Sequence, residues 1–181
     1  YKNNFAKEKV IGIFTAFNPN RWSPSKIKDI DVLFIGQVGS FRSVRNKYIK
    51  AIRSLELKYN VVVSILERNN FISWDEYISL SRRSKIIVNF SQSIDFDQLK
   101  GRVFEAMNCG AVLIEYIKSP IFSYFDENIH FVAFRDEKEL INQIDLLLSN
   151  PIKCANIRHE AEAFLKKNFS SKLYWSLLLR S

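Results

Sequence analysis

Cysteine and histidine are scarce in this chain, with two of each among 181 residues. Two cysteines, Cys109 and Cys154, are too few for a disulfide framework. They read as reduced, small apolar residues of a cytoplasmic protein. His130 and His159 stand alone, so no Cys/His cluster with structural-zinc spacing is available, and each reads as a satisfied or exposed side chain. No apolar run approaches the roughly 20 residues that a membrane helix needs. The chain also shows no secretory leader pattern, internal repeat or low-complexity tract. A Ser/His/Asp or Cys/His nucleophile system is missing, as are a Walker A loop and a G-x-G-x-x-G turn. A zinc module, a disulfide scaffold, a membrane span and a P-loop enzyme are thereby set aside. The chain begins at Tyr1 rather than Met, which reads as a fragment of a longer protein.

What is present is a core-building composition: 47% hydrophobic and 25% charged residues, the balance of a soluble globular domain. A chain of this length can bury a proper core as one domain. The net charge of +8 is uneven. Residues 1–58 hold 12 Lys and Arg against 4 Asp and Glu, whereas residues 59–181 hold 15 of each. The basic first third fits a solvated surface, a phosphate-facing loop, an anionic membrane surface or nucleic acid.

Along the chain, residues 1–30 form a lead-in with Pro19 and Pro24, which oppose regular structure. The following residues, 31–181, alternate apolar strands with helices. Strands are expected at 31–35, 60–66, 85–90, 111–114 and 129–134. Helices are expected over about 40–57, from Ser73 to about Arg83, and from Gly101 to a left-handed Gly110. Further helices follow Asp136, place Ile157, Ala161, Phe164 and Leu165 on one face, and run from Ser171 to Leu179. Ser73-Trp-Asp-Glu76 and Asp136-Glu-Lys-Glu139 are capping boxes. Strands so continuously apolar imply an α/β fold: a Rossmann-like parallel sheet with helices on both faces. Ligands in such folds bind beyond the carboxyl ends of the strands, which directs attention to the loops at 36–45, 89–102 and 115–123.

Two of these loops carry candidate chemistry. The first, from Gly36 to Arg45, joins a strand to a helix and supplies Gly36, Gly39, Arg42 and Arg45. Glycine lets a backbone approach phosphate, and arginine grips it through paired hydrogen bonds. The second runs D-Q-L-K-G-R-V-F-E from Asp97 to Glu105. It puts two carboxylates eight positions apart around Lys100, Gly101 and Arg102, at the start of a helix. A helix N-terminus attracts phosphate, and a carboxylate can accept both hydroxyls of a ribose diol. The plainer reading is a pair of helix-start acids beside surface cations. Glu115 reads as a solvated strand end. Trp22, Trp74 and Trp175 are scattered and read as packing residues.

Four motifs add a resemblance. D-V-L-F-I-G at 31–36 with Arg45 behind it, S-K-I-I-V-N-F at 84–90, G-R-V-F-E-A-M-N-C-G-A-V-L at 101–113 and N-I-H-F-V-A-F-R-D-E-K-E-L at 128–140 recur in order. From about Phe14 to Trp175 the chain resembles the C-terminal, donor-binding domain of GT-B glycosyltransferases, in the glycosyl transferases group 1 family and its spore-maturation-protein-like branch. The resemblance implies binding of a nucleotide-diphosphate sugar and metal-independent, retaining transfer to an acceptor hydroxyl in cell-surface glycan or glycolipid synthesis. It places Glu105 on the nucleotide ribose, as the second Glu of the family's E-x7-E motif. Asp97 takes the first Glu's place, one methylene shorter, on the donor sugar. Arg45, Arg42, Arg102 and Lys100 would face the diphosphate, with Asp97 and Arg102 carrying the catalysis. No further cofactor is implied.

The expected partners are the nucleotide sugar, a glycan or lipid-linked acceptor, an anionic membrane surface at the inner face of the membrane, and an N-terminal GT-B domain absent from this chain. Residues 1–30 would be the hinge from that domain, and the isolated chain an incomplete enzyme. A degenerate sugar-nucleotide-binding module without catalysis is the alternative. Nucleic acid is not an expected partner, because the basic excess lies in the lead-in and first helix rather than on an aromatic-studded sheet face.

Overall fold

In the computed structural model, residues 19–37, 44–66, 71–90 and 99–179 are described. Five strands form one parallel sheet in the order β2-β1-β3-β4-β5. They are β1 (Ile30–Gln37), β2 (Val61–Leu66), β3 (Ser84–Asn89), β4 (Val112–Tyr116) and β5 (Val132–Phe134). Among the described residues six helices accompany them: α1 (Val44–Arg53), α2 (Trp74–Arg83), α3 (Gly101–Asn108), α4 (Glu137–Ser149), α5 (Pro151–Asn168) and α6 (Ser171–Leu178). This is the Rossmann-like α/β architecture expected from the uninterrupted apolar strands.

Side chains alternate across a strand, so each strand feeds two cores. Val32, Phe34, Ile86, Val88, Val112, Ile114, Val132 and Phe134 pack with Tyr48, Ile52, Leu140, Ile144 and Leu147 from α1 and α4. On the opposite face Leu33, Ile35, Ile87 and Leu113 pack with Tyr77, Ile78, Val103, Ala106, Met107, Ala161 and Leu165 from α2, α3 and α5. β2 is partly exposed along its whole length, as suits an edge strand.

Both capping boxes place a helix start. The Ser73 side chain accepts from the Glu76 amide, and the Asp136 side chain accepts from the Glu139 amide. Gly110 has φ +64, and a Cβ there would meet Pro24 at 2.9 Å; only glycine escapes both penalties.

Two elements are shorter than the sequence implies. α1 ends at Arg53, and the chain then tightens, with Leu55 and Glu56 amides donating three residues back to Ile52 and Arg53; this is the usual unwinding of a last turn. The strand expected from residue 129 begins at Val132. Residues before it turn instead, with Asn128 at φ 62. His130 is the satisfied histidine of the sequence reading: it is buried, and its Nδ1 accepts the Asp126 amide at 2.9 Å. His159 is the exposed one.

Of the lead-in, residues 19–29 are described. They open with a short 310 helix, Pro19–Trp22, and lie against α2 and α3. Trp22 is buried against Tyr77, ring centroids 5.5 Å apart. The Ser25 amide donates to the Arg82 carbonyl, and the Arg82 side chain donates back to the Ser23 carbonyl. Lys28 reaches under the sheet, its Nζ donating to the Ser84 carbonyl (2.9 Å) and the Cys109 carbonyl (2.6 Å). It thereby caps the negative end of α3. Cys109 and Cys154 are free thiols, the first buried and the second partly buried.

Candidate functional site

The strand order sets the site. From β1 the chain moves outward to β2, then returns across β1 to β3 and continues the other way. The connections leaving β1 and β3 therefore diverge, and a crevice opens beyond their carboxyl ends. A cleft of about 420 Å³ occupies this place. Its walls come from Gly36 and Gln37 at the end of β1, Leu66 at the end of β2, Asn89 at the end of β3, Trp74 and Tyr77 on α2, and Lys100, Arg102 and Glu105 around the start of α3.

Among the expected site residues, Gly36, Arg45, Lys100, Arg102 and Glu105 all line this cleft. Gly39, Arg42 and Asp97 lie outside the described residues. Gly36 has a packing reason to be glycine: a Cβ would fall 2.9 Å from the tip of the Phe34 ring, which is stacked on Phe90. Arg45 is buried at the first turn of α1. It donates to the Gln37 carbonyl at 2.9 Å and the Phe90 carbonyl at 3.0 Å, so it ties together the carboxyl ends of β1 and β3.

α2, α4, α5 and α6 each begin with a side-chain cap. α3 does not: its N-cap is Lys100, its first turn carries no acid, and its amide end faces the cleft. One turn in, the Glu105 carboxylate accepts a hydrogen bond from the Tyr77 hydroxyl. Its other oxygen lies over Gly101, 3.4 Å from where a Cβ would stand.

Behind this pair a polar chain crosses the sheet end. Arg102 Nε points to the Tyr77 hydroxyl at 3.4 Å, Arg102 Nη1 donates to Asn89 Oδ1 at 3.3 Å, and Asn89 Nδ2 donates to Glu115 Oε2 at 2.5 Å. Burial pushes the Glu105 carboxyl above its ordinary range, against the Tyr77 hydrogen bond and the Arg102 charge, which favour the carboxylate. Burial also raises the Tyr77 hydroxyl, foremost among its influences, so it stays protonated and donates.

Two readings made from the sequence are corrected here. Glu115 is not a solvated strand end: it is fully buried, because the Asn89 amide supplies a donor that an isolated strand end lacks. Trp74 is not a packing residue alone. It is half exposed on the cleft wall, with its ring stacked on Tyr77 at 5.4 Å and edge-on to Trp22. Tyr77 and Asn89 were not singled out at all. The signals were there: Tyr77 sits three positions after Trp74 in a capped helix, and Asn89 is the polar end of an otherwise apolar strand.

A carboxylate, three basic side chains and an uncapped helix start now surround one crevice. The glycosyl transferase-like family model matches residues 42–178. The chain belongs to that family. Among solved structures, the C-terminal domain of a glycosyl transferase group 1 family protein (LpcC) from Francisella tularensis is similar at 12% identity, TM-score 0.68, covering 86% of this chain and 99% of that domain. Anabaena Alr3699/HepE in complex with UDP-glucose is similar at 14% identity, TM-score 0.69, over 93% of this chain and 56% of HepE. A glycosyltransferase from Rickettsia africae matches at 14% identity and TM-score 0.67, over 97% of this chain and 57% of that one. No curated protein matches the sequence. At these identities the likeness is one of fold: the chain has the architecture of the C-terminal domain of GT-B group 1 glycosyltransferases. It spans nearly all of the isolated LpcC domain and somewhat more than half of the two longer chains.

Proposed function

We infer that this chain is the donor-binding part of a glycosyltransferase and holds a nucleotide-diphosphate sugar in the cleft beyond β1 and β3. The observation that carries this reading is the Glu105 carboxylate one turn into an uncapped helix, opposite Arg45 and beside Arg102 and Lys100. A ribose diol needs an acceptor and a diphosphate needs donors, and the cleft offers both within one nucleotide's reach. Glu105 takes the ribose; the start of α3 with Arg102 and Lys100 takes the diphosphate, helped by Arg45 across the cleft and, as a proposed role only, by Arg42. Asp97 takes the sugar. The aromatic wall of Trp74 and the neighbouring Ile72 provides a flat apolar surface for the base. HepE was solved with UDP and with UDP-glucose, which makes a uridine diphosphate donor the first to try.

The reaction proposed is transfer of the sugar to an acceptor hydroxyl, retaining and metal-independent, with side-chain cations and helix amides stabilising the departing diphosphate. The acceptor, a glycan or a lipid-linked glycan at an anionic membrane, would be held largely by a second domain of the kind that completes the longer relatives. The spore-maturation-protein-like branch remains the branch proposed.

Calorimetric titration with UDP, GDP, ADP, dTDP and CMP, without magnesium, tests the reading. One nucleotide binds, and Glu105→Ala weakens it by about 1–3 kcal/mol, the cost of an unmade buried hydrogen bond. Binding of none by the full-length protein would reduce the claim to one of fold and favour the degenerate module.

A further inference from the structure

Tyr77 has no part in the scheme above, yet its hydroxyl donates to Glu105, the residue given the ribose. We propose that Tyr77 is a positioning residue for Glu105: its hydroxyl holds one carboxylate oxygen so that the other is presented to the ribose of the donor. The inference rests on the nucleotide reading and deepens it.

The geometry is specific. Tyr77 donates to Glu105 Oε2, while Oε1 lies over Gly101 on the cleft wall and makes no hydrogen bond to any described residue. The Tyr77 ring cannot swing away, since it is buried between Trp22 (5.5 Å, edge-on) and Trp74 (5.4 Å, stacked). Its own oxygen is backed by Arg102, which is held in turn by Asn89. A free glutamate samples several rotamers; this one has Oε2 held at one end of a hydrogen-bonded chain that runs through Tyr77 and Arg102 to Asn89 in β3, which leaves Oε1 facing the cleft. Prior orientation of this kind lowers the entropy cost of binding.

A carboxylate so placed must also stay ionised. The titratable and charged groups around Glu105 are Tyr77 on α2, Arg102 and Cys109 on its own helix, Lys100 at that helix's start and Arg45 across the cleft. Burial opposes ionisation, while the Tyr77 hydroxyl and Arg102 favour it. Deleting the hydroxyl removes one of the two supports, so the carboxyl titrates at higher pH and any binding that needs the anion fails earlier on acidification.

Tyr77→Phe keeps the ring and its packing and removes only the donor. The titration uses UDP-glucose, whose diphosphate diester does not titrate between pH 4 and 8, on the full-length protein. Wild type, Tyr77→Phe, Glu105→Gln and the double variant are compared, with thermal melting as the check on folding. The expected result has three parts. Tyr77→Phe weakens binding by about tenfold, in line with a lost hydrogen bond to a charged group. Its acid limb moves to higher pH. In the Glu105→Gln background the same change adds little, which is the signature of two residues acting as a unit. Unchanged affinity and pH profile in Tyr77→Phe would overturn the inference, as would an equal loss in both backgrounds. A wild type that binds none of the nucleotides tested removes the proposed function itself, and this inference with it.

Discussion

The two ends of the sheet carry cavities of nearly equal size and opposite character. Beyond the carboxyl ends lies the cleft of about 420 Å³ described above. At the amino ends a cavity of about 400 Å³ is lined by Lys28, Asp31, Tyr59, Lys85, Cys154 and Arg158 among others. In the amino-end cavity the polar groups are largely spent on the fold. Asp31 accepts from Lys85 at 2.6 Å and from the Asn60 amide at 2.8 Å, and Lys28 bridges two backbone carbonyls. At the carboxyl end a carboxylate oxygen and the amide end of a helix face the opening. Volume therefore does not tell the two ends apart. The direction of the polar groups does, and that direction follows from the strands, which in a parallel sheet send their connecting loops and helix starts to one end.

This contrast can be broken by substitution. The largest effect is expected from Glu105→Ala, which should cost nucleotide binding about 1–3 kcal/mol while thermal stability changes much less; a loss of stability equal to the loss of affinity would erase the distinction between the two ends. At the amino end, Lys28→Met should do the reverse. It leaves the Ser84 and Cys109 carbonyls without their donor and lowers unfolding free energy by about 1–2 kcal/mol, with nucleotide affinity unchanged in titration. Gly36→Ala should also destabilise, by about 1 kcal/mol or more, because its Cβ forces the Phe34 ring off Phe90; denaturant unfolding reads this directly. The smallest effect is expected from Lys85→Ala. Its pair with Asp31 is partly exposed, and such pairs are worth about 0–1 kcal/mol.

Acid should act through His130. Burial, the main cause, holds its imidazole below the ordinary value, and its Nδ1 is committed as an acceptor. The unfolded chain therefore binds the proton more readily, and stability should be lost as pH falls below about 6.5, the unfolded value. His130→Asn, which retains an acceptor, should flatten that slope in melts taken from pH 7 to pH 5; an unchanged slope would mean that the imidazole does not set it.

Legibility was uneven for physical reasons. The strands showed as runs of Val, Ile, Leu and Phe, because a sheet covered on both faces buries most strand positions in apolar surroundings. The helix starts at Ser73 and Asp136, and the turn at Gly110, showed because caps and left-handed turns depend on residues a few positions apart. Glu105, Arg102, Lys100 and Gly36 were singled out by their place after strands and at a helix start, and the fold gathers them with Arg45 in one cleft. Tyr77 was missed because its partner lies 28 residues away, and no local pattern marks a tyrosine that will meet a glutamate on a neighbouring helix. Glu115 was misjudged for the same reason, since its donor, Asn89, comes from the adjacent strand.

The sequence by itself determined the α/β class, the strand and helix order, and the carboxylate and basic residues available near the strand ends, because periodicity, capping and turn chemistry are local. Only the tertiary structure decided that α2 and α3 lie side by side over β1 and β3. That packing buries Tyr77 against Glu105 and turns one oxygen of the pair toward the cleft. Burial and hydrogen bonding between distant residues arise from packing energies summed over the whole sheet, and no short stretch of the chain contains them.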